Sequence, residues 1–224
     1  MTELSSLVDA SSAADGFAAR LRVQTAALHR RAERAGIIAA LLRGEGGTHG
    51  YALLLRNLLP VYAAIEEGWR QVGPLPGFAP FARPAFRRAG RIAADLAVLH
   101  GADWAASLPL LPAGARYAAR VGRAAAAGDC GRLLAHAYVR VLGDLSGGQT
   151  VARVLGRTLA LPEAALSFYA YPDLPDLAAA RAEWRAALDR AAPLLPALPA
   201  ALREAQVAFR LNIALSEAVL AEAG

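Results

Sequence analysis

Three glycines, Gly143, Gly147 and Gly148, interrupt a stretch that otherwise has the pattern of an apolar helix, Ala135 to Gln149 (AHAYVRVLGDLSGGQ). An interior helical glycine costs about 1 kcal/mol relative to alanine, so a cluster of them needs a compensating role. Gly143 and Gly147 stand four residues apart and share a face. A bare backbone there allows close packing of a second helix. It equally allows contact with something flat and wide, with a bend in the helix. The spacing fits both uses.

Two nucleotide-binding patterns overlap this stretch and fail on their own terms. Gly143 to Thr150 reads as a P-loop with Gln149 at the position of the phosphate-binding lysine, and its flanks are helical where a strand should precede. Leu145-Ser-Gly-Gly-Gln149 spells the signature loop of ABC-type ATPases, yet neither a Walker A site nor a Walker B carboxylate accompanies it.

Of the four histidines, His29 has the most suggestive neighbour. Glu33 follows at i+4, one helical turn away, where it can accept an N–H from the imidazole. Such a partner fixes the tautomer and leaves the second ring nitrogen free for a metal. A histidine satisfied at the edge of the core fits the same pattern. His136 lies inside an apolar helix and reads as structural, His49 follows a glycine-rich turn, and His100 closes a helix. Four scattered histidines do not suggest a multi-histidine metal cage.

The elements that must position these groups are helical almost throughout. Apolar spacing predicts helices over about 17–42, Thr48 (a candidate N-cap) to Trp69, 84–99, 114–127, a long one over 130–161 interrupted by the glycines, 177–192 after a possible Asp176 cap, and 200–223. Proline and glycine clusters at 73–77, 109–112, 172–175 and 193–199 separate them. The expected architecture is one all-α domain of roughly eight helices over residues 17–224, preceded by a flexible segment, 1–16.

Composition agrees. At 56% hydrophobic and 19% charged, the 224 residues bury a core, and only 7% are aromatic, too few for a typical β-sandwich or barrel. The single cysteine, Cys130, excludes an intramolecular disulfide and a cysteine-ligated iron–sulfur centre. No apolar run reaches the ~18 residues that a spanning helix needs, so the expectation is a soluble cytoplasmic protein with no membrane partner. All 24 basic residues are arginine and the formal charge is +5. Clusters such as Arg30-Arg31-Arg34 can attract anions, but no long basic run or arginine–aromatic interleaving points to nucleic acid.

Taken together, the motifs resemble the heme oxygenase family. LRVQTAALHRRAE (Leu21–Glu33) is similar to its proximal helix, YALLLRNLLPVYAAIE (Tyr51–Glu66) to its second helix, and AHAYVRVLGDLSGGQ to its distal-helix signature. Phe168-Tyr-Ala-Tyr-Pro172 and Ala208-Phe-Arg-Leu-Asn-Ile213 resemble later blocks, so the likeness spans nearly the whole chain.

The resemblance implies heme b clasped between a proximal helix and a kinked distal helix, and its oxidative opening to biliverdin with release of CO and ferrous iron. The reaction uses O2 and an external reductant. A non-catalytic heme-binding or heme-transfer protein of the same fold is the alternative. By the same resemblance His29 is the axial ligand of the heme iron, with Glu33 beside it. Gly143, Gly147 and Gly148 form the distal surface, and Asp144, Arg140 and Tyr62 form a catalytic hydrogen-bond network. Arg22, Tyr138, Arg181 and Arg185 are matched to propionate contacts, and Phe209 and Asn212 to the final-helix side of the pocket. Ala26 stands where relatives carry another basic residue. Nothing in the chain binds a flavin or nicotinamide, so electrons are expected from a ferredoxin, a flavodoxin or a reductase. A monomer is the default expectation.

Overall fold

The structure is a computed structural model that describes residues 16–224. The segment expected to be flexible, 1–16, lies outside the described residues except for Gly16. Among the described residues the secondary structure is helical, with no strand. Helices α1 (Phe17–Ala32), α2 (Gly36–Leu42) and α3 (Gly47–Val72) are followed by α4 (Ala89–His100), a short α5 (Trp104–Ser107) and α6 (Pro112–Ala126). Then come α7 (Cys130–Ala137), a π-helical turn (Tyr138–Leu142), α8 (Gly143–Thr158), α9 (Leu177–Ala191) and α10 (Leu198–Ala223).

Helix α3 is the centre of the core. Tyr51, Leu54, Leu58, Val61, Tyr62 and Ile65 recur at helical spacing and are all buried, so almost every face of this helix meets protein. It packs most extensively on α6, while α10 spans α1, α2, α6 and α7. Buried Asn57 ties α3 to the α5–α6 connection: it donates to the carbonyl of Pro109 (3.2 Å) and accepts from the amide of Leu111 (2.8 Å).

Three boundaries differ from the sequence expectation. The single helix expected over 17–42 is two, broken at Gly36 with φ +61°, where an added Cβ would lie 2.3 Å from the Ser216 backbone. Only glycine meets both demands. The segment from Pro84 begins as a 3₁₀ turn (Pro84–Phe86), and the α-helix starts at Ala89, capped by the Glu66 side chain rather than by a local residue. Thr48 is inside α3, whose N-cap is Gly46. Asp176 does cap α9, accepting from the amides of Ala178 and Ala179 at 2.8 and 3.0 Å.

Candidate active site

The long helix expected over 130–161 changes pitch ahead of its glycines. Tyr138–Leu142 forms a π turn, in which one extra residue widens the helix and redirects the side chains that follow. Gly143 then opens α8. Its exposed face carries Gly143 and Gly147, and a Cβ added to either would meet nothing within 4 Å. Gly148 differs, because a Cβ there would sit 2.9 Å from the Tyr169 ring. The first two glycines therefore border open space, and the third permits close packing. Both uses left open by the spacing occur, at different positions.

Asp144 points the other way. It is buried, and the Tyr62 hydroxyl donates to its Oδ2. Arg140, one turn earlier, donates to Asp144 Oδ1 (3.3 Å), to the Tyr62 hydroxyl (3.0 Å) and to Asn212 Oδ1 (2.8 Å). Four residues from four elements (α3, the π turn, α8 and α10) thus form one network beneath the bare strip. Burial pushes the Asp144 carboxyl well above the ordinary carboxylate range. The nearby guanidinium opposes that shift, but its donors are shared with Tyr62 and Asn212, and burial also lowers the Arg140 pKa. A cavity of about 20 Å³ abuts Tyr62 beside Glu66, Arg87 and Val141, space enough for one water.

His29 lies on α1 with its side chain 57% exposed, so the imidazole is available to an incoming group. Its Nδ1 is 3.5 Å from Glu33 Oε1, and its ring stands edge-on to Phe209 of α10 at 5.8 Å. Phe209, Val139 and Ala208 form an apolar cluster with Leu28, Ala32 and Tyr138, distinct from the main core. This cluster joins the helix bearing His29 to the turn that leads into Gly143. Beside it the Tyr138 phenol lies near Thr25, Arg185 and Arg22, its pKa raised by burial and pulled back by these neighbours. Arg22 and Arg185 are exposed, whereas Arg181 donates to the backbone carbonyl of Leu145 at 3.0 Å, tying α9 to α8.

The other histidines sit elsewhere. His136 is fully buried and its Nε2 is 3.1 Å from Glu204. His49 and His100 are exposed near one another, with ring centroids 6.4 Å apart. Contacts gather the expected site residues into groups: Tyr62, Arg140, Asp144 and Asn212 in one network, His29 with Glu33 and Phe209, and Tyr138 beside Arg22 and Arg185, next to a side-chain-free stretch of α8. That set fits a flat, wide, anionic metallomacrocycle. A separate hollow of about 270 Å³ is lined by Arg83, Phe86, Trp184 and Arg190 and by none of these expected site residues.

Comparison with known proteins agrees with this geometry. A sequence profile described as heme oxygenase matches residues 15–218. The chain belongs to the heme oxygenase family. It is 32% identical over 204 residues to human heme oxygenase 1, covering 88% of this chain and 69% of that one. It is also 32% identical over 198 residues to heme oxygenase 1 of Nostoc sp., covering 88% and 83%. The crystal structure of heme oxygenase-1 from the cyanobacterium Synechocystis sp. PCC6803 in complex with heme superposes with a TM-score of 0.84 at 29% identity, covering 93% and 94% of the two chains. Heme oxygenase from Leptospira interrogans gives 0.80 at 28% identity, covering 91% and 99%. The oxygenase takes heme as substrate and opens it to biliverdin, CO and ferrous iron with O2 and external electrons. Among its described residues no helix is long and apolar enough to cross a membrane.

Sequence reasoning passed over two features of this site. One is the π turn, which has no sequence signature. The other is a set of contacts behind α8, made by Arg88 and Asp95 and by Gln149 of α8 itself, whose partners are remote in the chain.

Proposed function

We propose that the heme oxygenase reaction is carried out between His29 and the Gly143–Gly148 face, with Asp144, Tyr62 and Arg140 managing protons. The observation that carries this reading is the division of labour on α8: two glycines border open space while the aspartate between them is buried in a hydrogen-bonded network.

His29 Nε2 would be the iron ligand, and the Glu33 carboxylate, 3.5 Å from Nδ1, favours the ring proton on that nitrogen, which leaves Nε2 free to bind. When bound, heme supplies the iron that activates oxygen and the carbon skeleton that is oxidised. The protein's part is to orient, to exclude bulk and to deliver protons. Gly143 and Gly147 would let the α8 backbone lie against the heme with no side chain intruding between them. Asp144, buried behind that face, would supply protons through ordered water, and Tyr62 holds its carboxyl in place. Arg140 fixes both and is itself held by Asn212. Arg22, Arg185 and Tyr138 contact the propionates, the arginines through paired N–H donors. Arg181 joins them with the donors it does not spend on Leu145. Phe209 packs against the His29 ring and limits its rotation.

Electrons come from an acidic ferredoxin- or flavodoxin-like protein, or a reductase, drawn to a surface of net charge +5. Turnover with such a donor should slow as ionic strength rises; a rate independent of salt would remove the electrostatic part of this assignment. The setting proposed is the cytoplasm. The experiment that tests the whole reading is aerobic turnover of the heme complex with reductant. Formation of biliverdin is the expected result, and a heme complex that survives unchanged would make this a carrier rather than an oxygenase.

A further inference from the structure

The segment between α8 and α9 is gripped by one helix and leans on another. Asp95 of α4 is fully buried and has no cationic partner within ion-pairing distance among the described residues. It accepts from the Ser167 amide (2.9 Å), the Ser167 hydroxyl (2.5 Å) and the Phe168 amide (2.9 Å). Arg88, at the N-terminus of the same helix, is 1% exposed. Its guanidinium donates to the carbonyls of Ala85 (2.8 Å), Phe168 (3.2 Å) and Ala170 (2.6 Å) and lies 4.1 Å from the Tyr171 ring centroid. A buried anion thus holds the strap's N–H groups and a buried cation holds its C=O groups.

The strap in turn presses on the active site from behind. The Phe168 ring stands edge-on to Tyr62 at 5.4 Å. The Tyr169 ring occupies the space that a side chain at Gly148 would need, and the Tyr169 carbonyl accepts from Gln149 Nε2 at 2.5 Å. Two buried charges are costly in any fold. Here both are spent on one short segment, and that segment touches Tyr62 and the Gly148–Gln149 turn of α8 together.

We infer that Arg88 and Asp95 are positioning residues that set, through the Ser167–Tyr171 strap, the depth of α8 and its register against Tyr62. This rests on the reading of α8 as the heme-facing helix, but its test does not need heme. Without the clamp the strap loosens, and the Asp144 carboxyl loses a fixed Tyr62 hydroxyl and its helix a firm backing.

The measurement is amide hydrogen exchange in the heme-free full-length protein, comparing wild type with Asp95→Asn, Arg88→Met and Gln149→Ala. Val121→Ala, a core truncation in α6, serves as the stability control. Asp95→Asn and Arg88→Met should speed exchange across Asp144–Thr150 by about tenfold, as expected for loss of a charge-assisted hydrogen bond. Val121→Ala at matched loss of Tm should leave that segment near wild type. Gln149→Ala removes only the link between strap and helix and leaves the core untouched. It should raise exchange in α8 without doing so at Ser167–Tyr171, which keeps the test decisive if the buried-charge variants do not fold. In the variants that do fold, α8 protection equal to wild type, or a loss equal to that of Val121→Ala, would overturn the inference. So would an unchanged α8 in Gln149→Ala. Failure of heme to bind at α8 would defeat the proposed function while leaving these exchange results intact.

Discussion

The Tyr62 hydroxyl donates to Asp144 Oδ2, although the two residues lie 82 positions apart, on α3 and α8. The same hydroxyl accepts from Arg140, so the phenol is both donor and acceptor and its orientation is fixed. Removing the carboxyl should therefore uncouple binding from chemistry. Asp144→Ala should retain heme while lowering biliverdin yield by about 10²-fold, the lower range for a lost proton-transfer group. Tyr62→Phe should lose less, because Arg140 still reaches Asp144. Single-turnover bilin analysis checks both; a normal yield from Asp144→Ala would remove that residue from the mechanism.

Gly143 and Gly147 provide a test in which stability and ligand binding move in opposite directions. A Cβ at either position meets nothing in the protein, and alanine favours a helix over glycine by about 1 kcal/mol. Each alanine variant should raise the Tm of the heme-free protein slightly while weakening heme binding or shifting the site of ring opening. Gly148→Ala should instead lower Tm, since the Tyr169 ring stands 2.9 Å from the added carbon. Thermal melts with and without heme distinguish the three.

His29→Ala should abolish the normal heme spectrum and turnover, and added imidazole should partly restore the spectrum by entering the vacated space. An unaltered spectrum would move the ligand to His49, His100 or His136.

The pH dependence of stability should carry two opposing contributions. Burial raises Asp144, so between its unfolded value near ~4 and its folded value the native state holds the extra proton. Stability from this group is full below that window and falls as pH rises through it. Burial would raise Glu204 too, but hydrogen bonds from Arg120 and His136 take it down to about 2. Its contribution is full above ~4.5 and is lost as pH falls toward 2. Asp144→Asn should thus gain on wild type as pH rises above 4. Glu204→Gln should cost about 2 kcal/mol at neutral pH, discounted because Arg120 is one-third exposed, and less in acid. Urea midpoints across pH 3–8 measure both slopes.

The parts of this molecule legible in sequence were those whose partners are near in sequence or whose chemistry is rare. The His29–Glu33 pair lies within one helical turn, and the glycines of Ala135–Gln149 stand out because helices resist them. Apolar spacing found α3 and α10 with ends off by a few residues. What stayed hidden depends on remote partners. The break at Gly36 exists because the Ser216 backbone lies against it, and α4 starts where Glu66 caps it. The second arginine of Arg87-Arg88 is buried while the first is exposed, and no local pattern separates them. The π turn arises from fitting α7 and α8 to different neighbours, which composition does not record.

The most direct test of the central claim is a crystal structure of the protein with heme bound. Iron should be coordinated by His29 Nε2, with the macrocycle against Gly143 and Gly147 and the propionates toward Arg22, Tyr138 and Arg185. Coordination by another histidine, or heme seated in the hollow beside Trp184 and Arg190, would contradict it.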